Sequence, residues 1–121
     1  MGLFNVEIDV ANQEHKERHI TIDALVDTGA FLSAVPASLL HELDVTPTRR
    51  QTVRFADGST RRMELGLVWM QIDGRETVTQ VMFNEEGTQP LLGALTLEEL
   101  FLVVDPVEQK LAPMGAIMWG R

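Results

Sequence analysis

The stretch that most constrains this chain is Ala24-Leu25-Val26-Asp27-Thr28-Gly29-Ala30, followed by Phe31-Leu32-Ser33-Ala34-Val35-Pro36. The apolar run Ala24 to Val26 has the character of a buried strand. It delivers one carboxylate, Asp27, straight out of that strand, and Thr28-Gly29 then turn the chain sharply. A carboxylate at the end of a buried strand is costly unless a partner or a reaction uses it. Two readings follow from these residues alone. An Asp before a Gly can simply initiate a turn through its own backbone. Alternatively, the carboxylate serves chemistry.

Two further signals bear on the choice. Pro90-Leu91-Leu92-Gly93-Ala94 places two apolar residues and a Gly just before Leu95-Thr96-Leu97-Glu98-Glu99-Leu100, a plausible short helix. Between the two segments, Phe55-Ala56-Asp57-Gly58-Ser59-Thr60 is a turn sequence flanked by strand-like runs. Taken in order, from about residue 4 to residue 113, these features resemble the retroviral-type (retropepsin-like) aspartic proteases. The likeness is strongest to the single-lobe bacterial proteins and to the similar domain of eukaryotic DNA-damage-inducible proteins. The resemblance implies an all-β, single-lobe acid-protease barrel with one or two short helices, spanning residues 1–121 as one domain. It implies an aspartic endopeptidase in which Asp27 is catalytic. Thr28, Gly29 and Ala30 would support it, with Leu91, Leu92 and Gly93 beside the turn. By the same resemblance the Thr28 hydroxyl bonds to a partner's backbone, and Ala56, Asp57, Gly58 and Ser59 form the tip of a flap that closes over an extended peptide. No metal and no organic cofactor is implied.

Peptide hydrolysis by this chemistry needs two carboxylates close enough to share a proton. One takes a proton from water while the other donates one to the scissile carbonyl oxygen. Like charges so near cannot both ionise, so such a pair titrates in two steps. This chain has one Asp-Thr-Gly; Asp57-Gly58 and Asp73-Gly74 both lack the middle residue. The pair can then form only between two chains, which predicts a two-fold homodimer with Asp27 on its axis, acting on a peptide or protein substrate. The chain has no Tyr, so the flap Tyr of pepsin-like enzymes is absent, as it is from retroviral flaps, and the flap tip has a single Gly, fewer than retroviral flaps. The alternative is a catalytically inactive peptide-binding or dimerisation module of the same fold. A third reading is an unrelated small barrel in which Asp27 only caps a turn.

Bulk properties narrow the field. A chain of 121 residues with 45% hydrophobic content is expected to bury one core. No apolar run approaches the ~20 residues that span a bilayer, so no membrane association is expected. Met1 to Glu7 has neither a basic region nor a long apolar stretch, so no secretory signal is expected there. The absence of Cys excludes disulfides and a thiol nucleophile, and it fits a cytoplasmic location. A net charge of -8 argues against a nucleic-acid partner. That charge is uneven. Arg49, Arg50, Arg54, Arg61 and Arg62 against the single Asp57 give this segment +4, which leaves the rest of the chain at -12. Such arginines can discourage edge-to-edge pairing of a solvated hairpin. They can also make a basic lid that favours acidic substrates or docks on the acidic body.

The remaining pattern predicts strands at Leu3–Val10, His19–Asp23 continuing to Val26, Gln51–Ala56, Arg62–Ile72, Val78–Phe83, Leu102–Val104 and Lys110–Pro113. On the long strand, Met63, Leu65, Leu67 and Trp69 share one face, with Val68, Met70 and Ile72 on the other. Pro36 to Leu43 reads as a short helix with Pro in its first turn and Leu39, Leu40 and Leu43 as its apolar stripe. His15 and His19 have the spacing of a helical metal pair, but the segment joins two strands and reads as a solvated loop. Leu25, Phe31, Leu32, Val53, Phe55 and Leu92 are candidates to line apolar substrate pockets, and some of them must be core. Ile117 to Trp119, in an apolar tail, is the candidate subunit contact.

Overall fold

The computed structural model describes residues 4–114. Nine strands and two six-residue helices follow one another as β1 (Asn5–Ala11), β2 (Ile20–Val26), β3 (Ser33–Pro36), α1 (Ala37–Glu42), β4 (Arg49–Arg54), β5 (Thr60–Ile72), β6 (Arg75–Asn84), β7 (Leu91–Leu92), α2 (Ala94–Glu99), β8 (Leu102–Asp105) and β9 (Lys110–Pro113). The main sheet runs β1-β2-β7-β3-β6-β5-β4, and β1 also pairs with β5, closing six of its strands into a barrel. The closure depends on the length of β5. Its first half pairs with β4, from Arg54↔Thr60 to Arg49↔Leu65. Its far end pairs with β1, from Asp9↔Gln71 to Ala11↔Trp69. One strand thus reaches from the barrel wall out into a hairpin, as its mixed pattern of exposed and doubly buried positions anticipates.

Alternation sets the inward faces. Ile8 and Val10 of β1, Ala24 and Val26 of β2, and Val68, Met70 and Ile72 of β5 are buried in one cluster with Val35, Val81, Phe83 and Leu92. Leu40 and Leu43 of the α1 segment, and Leu97 and Leu100 of the α2 segment, close over the same cluster. A smaller cluster is formed by Ala34, Met63, Leu65 and Met82, with Leu32, Val53, Phe55 and Leu91 packed against it.

The structure refines the expected elements. Pro36 ends β3 and precedes α1 rather than sitting in its first turn. The fourth strand begins at Arg49 and leaves Phe55 and Ala56 to the turn. Leu67 is 41% exposed although its neighbours on that face are buried. It lies where β5 has left β4 and has not yet met β1, so that edge has no partner strand. His15 and His19 flank an exposed 3-10 turn at Lys16–Arg18, and no cluster of metal-ligating side chains occurs among the described residues. The proposed contact Ile117–Trp119 lies outside the described residues. Among the described residues no helix is long and apolar enough to cross a membrane.

Candidate active site

Asp27 follows immediately on β2, and its surroundings are built almost entirely from backbone. β2 and β7 pair in parallel, Leu25↔Leu91 and Val26↔Leu92. That ladder continues one step further: the Asp27 N–H donates to the Leu92 carbonyl at 3.0 Å. Beyond Asp27 the chain turns, and the Ala30 N–H returns to the Asp27 carbonyl at 3.1 Å. The Gly29 N–H donates to Asp27 Oδ1 at 3.0 Å. A Cβ on Gly29 would stand 3.3 Å from that same oxygen. Gly is therefore the residue that leaves the carboxylate uncrowded while offering it an amide. Asp27 is half-buried, and Thr28 and Gly29 are exposed.

The loop after Asp27 is clamped from its other side by α2. A helix leaves its first N–H groups without intrahelical partners. Here Ala94 and Leu95 donate theirs to the carbonyls of Ala30 and Phe31, both at 2.9 Å. This requires the α2 start to lie against the loop, and Gly93 makes that possible. A Cβ at Gly93 would fall 2.6 Å from the Leu32 carbonyl carbon and oxygen, an impossible approach. The Gly93 N–H donates to Ser33 Oγ at 2.9 Å. Ser33 Oγ bonds Thr96 Oγ1 at 2.7 Å, and Thr96 Oγ1 bonds Thr79 Oγ1 at 3.0 Å. These three hydroxyls are the buried polar side chains of the described core, and they satisfy one another. They tie β3, α2 and β6 together behind the Asp27 loop.

The expected residues thus fall into two groups. Asp27, Gly29, Ala30 and Leu92 are joined by direct hydrogen bonds, and Gly93, next to Leu92, abuts the backbone of Phe31 and Leu32 in the same loop. Leu92 is fully buried in the main core, while Leu91 is half-buried beside it. Ala56 to Ser59 form the exposed tip of the β4–β5 hairpin. Phe55 N–H bonds the Ser59 carbonyl at 2.8 Å and Gly58 N–H bonds the Phe55 carbonyl at 2.9 Å, with Gly58 at φ +87°. This is a three-residue loop closed by a left-handed Gly. Asp57 Oδ1 accepts the Ser59 N–H at 2.9 Å and the Ser59 hydroxyl at 2.6 Å. Those bonds, the hydroxyl first, hold the Asp57 carboxyl below its ordinary value. The hairpin meets the Asp27 region through apolar packing, because Val53 and Phe55 share the smaller cluster with Leu32 and Leu91. Phe31, four residues past Asp27, is 66% exposed. The shallow concavity lined by Asn12, Asp44, Thr46 and Leu67 contains none of these residues.

Sequence reasoning missed the Ser33–Thr96–Thr79 network. Its members are far apart in the chain and look like ordinary strand and helix polar residues.

Comparison with known proteins agrees with this geometry. The family described as "gag-polyprotein putative aspartyl protease" matches residues 14–99, a stretch that includes both Asp27 and Gly93. The chain is similar to the simian foamy virus (mac) protease at 16% identity and a TM-score of 0.58, covering 80% of this chain and 94% of that one. It is similar to the EIAV protease complexed with an inhibitor at 17% identity and a TM-score of 0.60, covering 81% of this chain and 88% of that one. No curated protein matches it. A closed barrel with a long hairpin, an Asp-Thr-Gly turn clamped by a Leu-Leu-Gly segment, and a family match over most of the chain lead to one placement: this chain belongs to the gag-polyprotein aspartyl protease family and has the retropepsin-like fold.

Proposed function

We propose that the chain is an aspartic endopeptidase that works as a homodimer, with Asp27 of each copy contributing one half of the catalytic pair. The observation that supports this best is the way Asp27 is held. A half-buried carboxylate is fixed by the Gly29 amide and by a backbone ladder to Leu92, on a turn that leaves Thr28 and Gly29 open to a second copy. A turn-capping Asp would satisfy the first bond. It would not call for the clamp of α2 against the loop or for Gly at position 93.

In the dimer one Asp27 carboxylate takes a proton from water as the water oxygen bonds to the scissile carbonyl carbon. The other, protonated, Asp27 gives its proton to the carbonyl oxygen. The Asp27 that took the water proton then gives it to the amine nitrogen as the C–N bond breaks, and a hydroxyl of the gem-diol returns its proton to the other Asp27, so the pair again holds one proton. Gly29 orients the carboxylate, and Thr28 locks the two turns together by bonding the partner's backbone. The β4–β5 tip, Ala56 to Ser59, lies over an extended peptide and pairs with it as an added strand.

The test is Asp27→Asn, which keeps size and shape but cannot act as a base. Hydrolysis of a peptide library should be abolished while sedimentation still reports a dimer. Turnover retained in that variant would remove Asp27 from the reaction.

A further inference from the structure

The five arginines of the β4–β5 hairpin are divided between its two faces. Residues directly opposite in an antiparallel pair share a face. Arg61 is opposite Val53, and Arg49 is opposite Leu65, so these two belong to the face that packs on the smaller core cluster. Arg61 is used there: its guanidinium lies 4.7 Å from the Phe55 ring centroid and 3.6 Å from Glu85 Oε2. The other face displays Arg50 opposite Glu64, Thr52 opposite Arg62, and Arg54 opposite Thr60. Arg50 makes an exposed ion pair with Glu64 at 3.7 Å, and among the described residues no ion pair engages Arg54 or Arg62.

We propose that this outward face, through Arg50, Arg62 and Arg54, docks an acidic segment of the polypeptide substrate that lies outside the cleft. The proposal rests on the endopeptidase reading and adds a substrate class to it. Spacing supports it. Arg62 is diagonal to both Arg50 and Arg54, and diagonal neighbours on a sheet face stand about 7–8 Å apart. An extended peptide shows same-side carboxylates every second residue, about 6.6–6.8 Å apart. Three carboxylates at alternate positions therefore match the spacing of the three arginine positions along the sheet face. Charge supports it as well. The hairpin, residues 49–65, holds five arginines against Asp57 and Glu64 and carries +3, which leaves the rest of the chain at -11. A short acidic segment on this face meets Arg54 and Arg62 directly and competes with Glu64 for Arg50, whereas a long polyanion such as nucleic acid also meets the acidic remainder of the chain.

The experiment uses the full chain carrying Asp27→Asn, so that peptide is bound but not cut. Two fluorescent peptides are compared by anisotropy: one with three Glu at alternate positions beside an apolar segment, the other with Gln in their place. The second protein adds Arg50→Gln, Arg54→Gln and Arg62→Gln. Exposed ion pairs are worth a factor of about two to five each, so the triple change should weaken the Glu peptide roughly tenfold relative to the Gln peptide. Added salt should erase the difference. Equal affinity for both peptides in the parent protein overturns the proposal, as does a triple variant that binds the Glu peptide undiminished. If the triple variant only aggregates, Arg54→Gln alone is read in its place: an undiminished Glu preference then identifies the arginines as edge protection and overturns docking. Tighter binding of a single-stranded DNA oligonucleotide than of the Glu peptide overturns the acidic-peptide assignment. Because no turnover is read, failure here is separate from failure of the endopeptidase reading, which the protein with Asp27 intact tests by cleavage.

Discussion

A side chain at position 93 has nowhere to go, since its Cβ would lie 2.6 Å from backbone atoms of Leu32. Gly93→Ala must therefore push α2 off the loop that holds Asp27. We expect a loss of at least about 2 kcal/mol in denaturant unfolding, at the upper part of the range for overpacking. Ser33→Ala tests the same junction without bulk. It leaves the Gly93 N–H buried and unpaired and should cost about 1–3 kcal/mol. Ser33→Thr, which keeps the hydroxyl, should recover part of it; equal losses in the two variants would show that the hydrogen bond is not what matters. Position 93 was legible in the sequence, because an apolar pair followed by Gly has a spacing that can be seen. The hydroxyl network was not. Ser33 and Thr96 are 63 positions apart, and only the folded barrel brings them within 2.7 Å. A second residue-scale test is pH-dependent. The Trp69 indole N–H donates to Glu76 at 2.7 Å. That bond first, then Lys16, holds the Glu76 carboxyl below its ordinary value of 4.5. With the folded pKa depressed, the unfolded chain takes up the proton first. The stabilisation is complete above the ordinary value and is lost as pH falls through the lowered one. Trp69 fluorescence in a Trp119→Phe background should then titrate with a midpoint below 4.5, and Glu76→Gln should remove the transition. A midpoint at or above 4.5 contradicts the assignment.

At the scale of elements, the readable strands were those long enough to show alternation, together with the four-residue β8 and β9 on either side of the Asp105-Pro106 stop. β1, β2, β5 and β6 have seven or more residues each, and alternation anticipated the buried Ile8 and Val10 of β1 and the buried Val68, Met70 and Ile72 of β5. β3 and β7 have four and two residues and exist only through their neighbours. β3 pairs with both β6 and β7, so no local signal announces it. Both Gly-containing turns were legible from Asp-Gly, yet they differ. Asp73 and Gly74 both have positive φ and form a two-residue turn, whereas at the β4–β5 tip only Gly58 does. Gly58 has no neighbour within 4 Å of a prospective Cβ, so Gly58→Ala meets conformational cost without a clash. We expect about 1 kcal/mol of local opening at the tip. It would be seen as roughly fivefold faster amide exchange at Phe55, with the barrel amides unchanged. Exchange that quickens across the barrel as well would mean that hairpin and barrel open as one unit.

For the molecule as a whole, closing β1 onto β5 removes the edges of six strands and leaves β4 at the open end of the sheet. Among the strands of the main sheet, β4 thus presents an open edge, and the arginines of its hairpin discourage edge-to-edge pairing. The fold could be read from sequence because its three markers lie in order along the chain. The two-fold assembly is a deduction from the proposed chemistry, since one chain supplies one Asp-Thr-Gly. The most direct test of that deduction mixes protein bearing Asp27 with Asp27→Asn protein, refolded together so that subunits exchange, at fixed total concentration. If both carboxylates of a two-fold pair are needed, mixed dimers are dead and equal mixing leaves about one quarter of the activity. Activity that falls only to about one half, in proportion to the fraction of chains bearing Asp27, would mean that one chain suffices and would contradict the account.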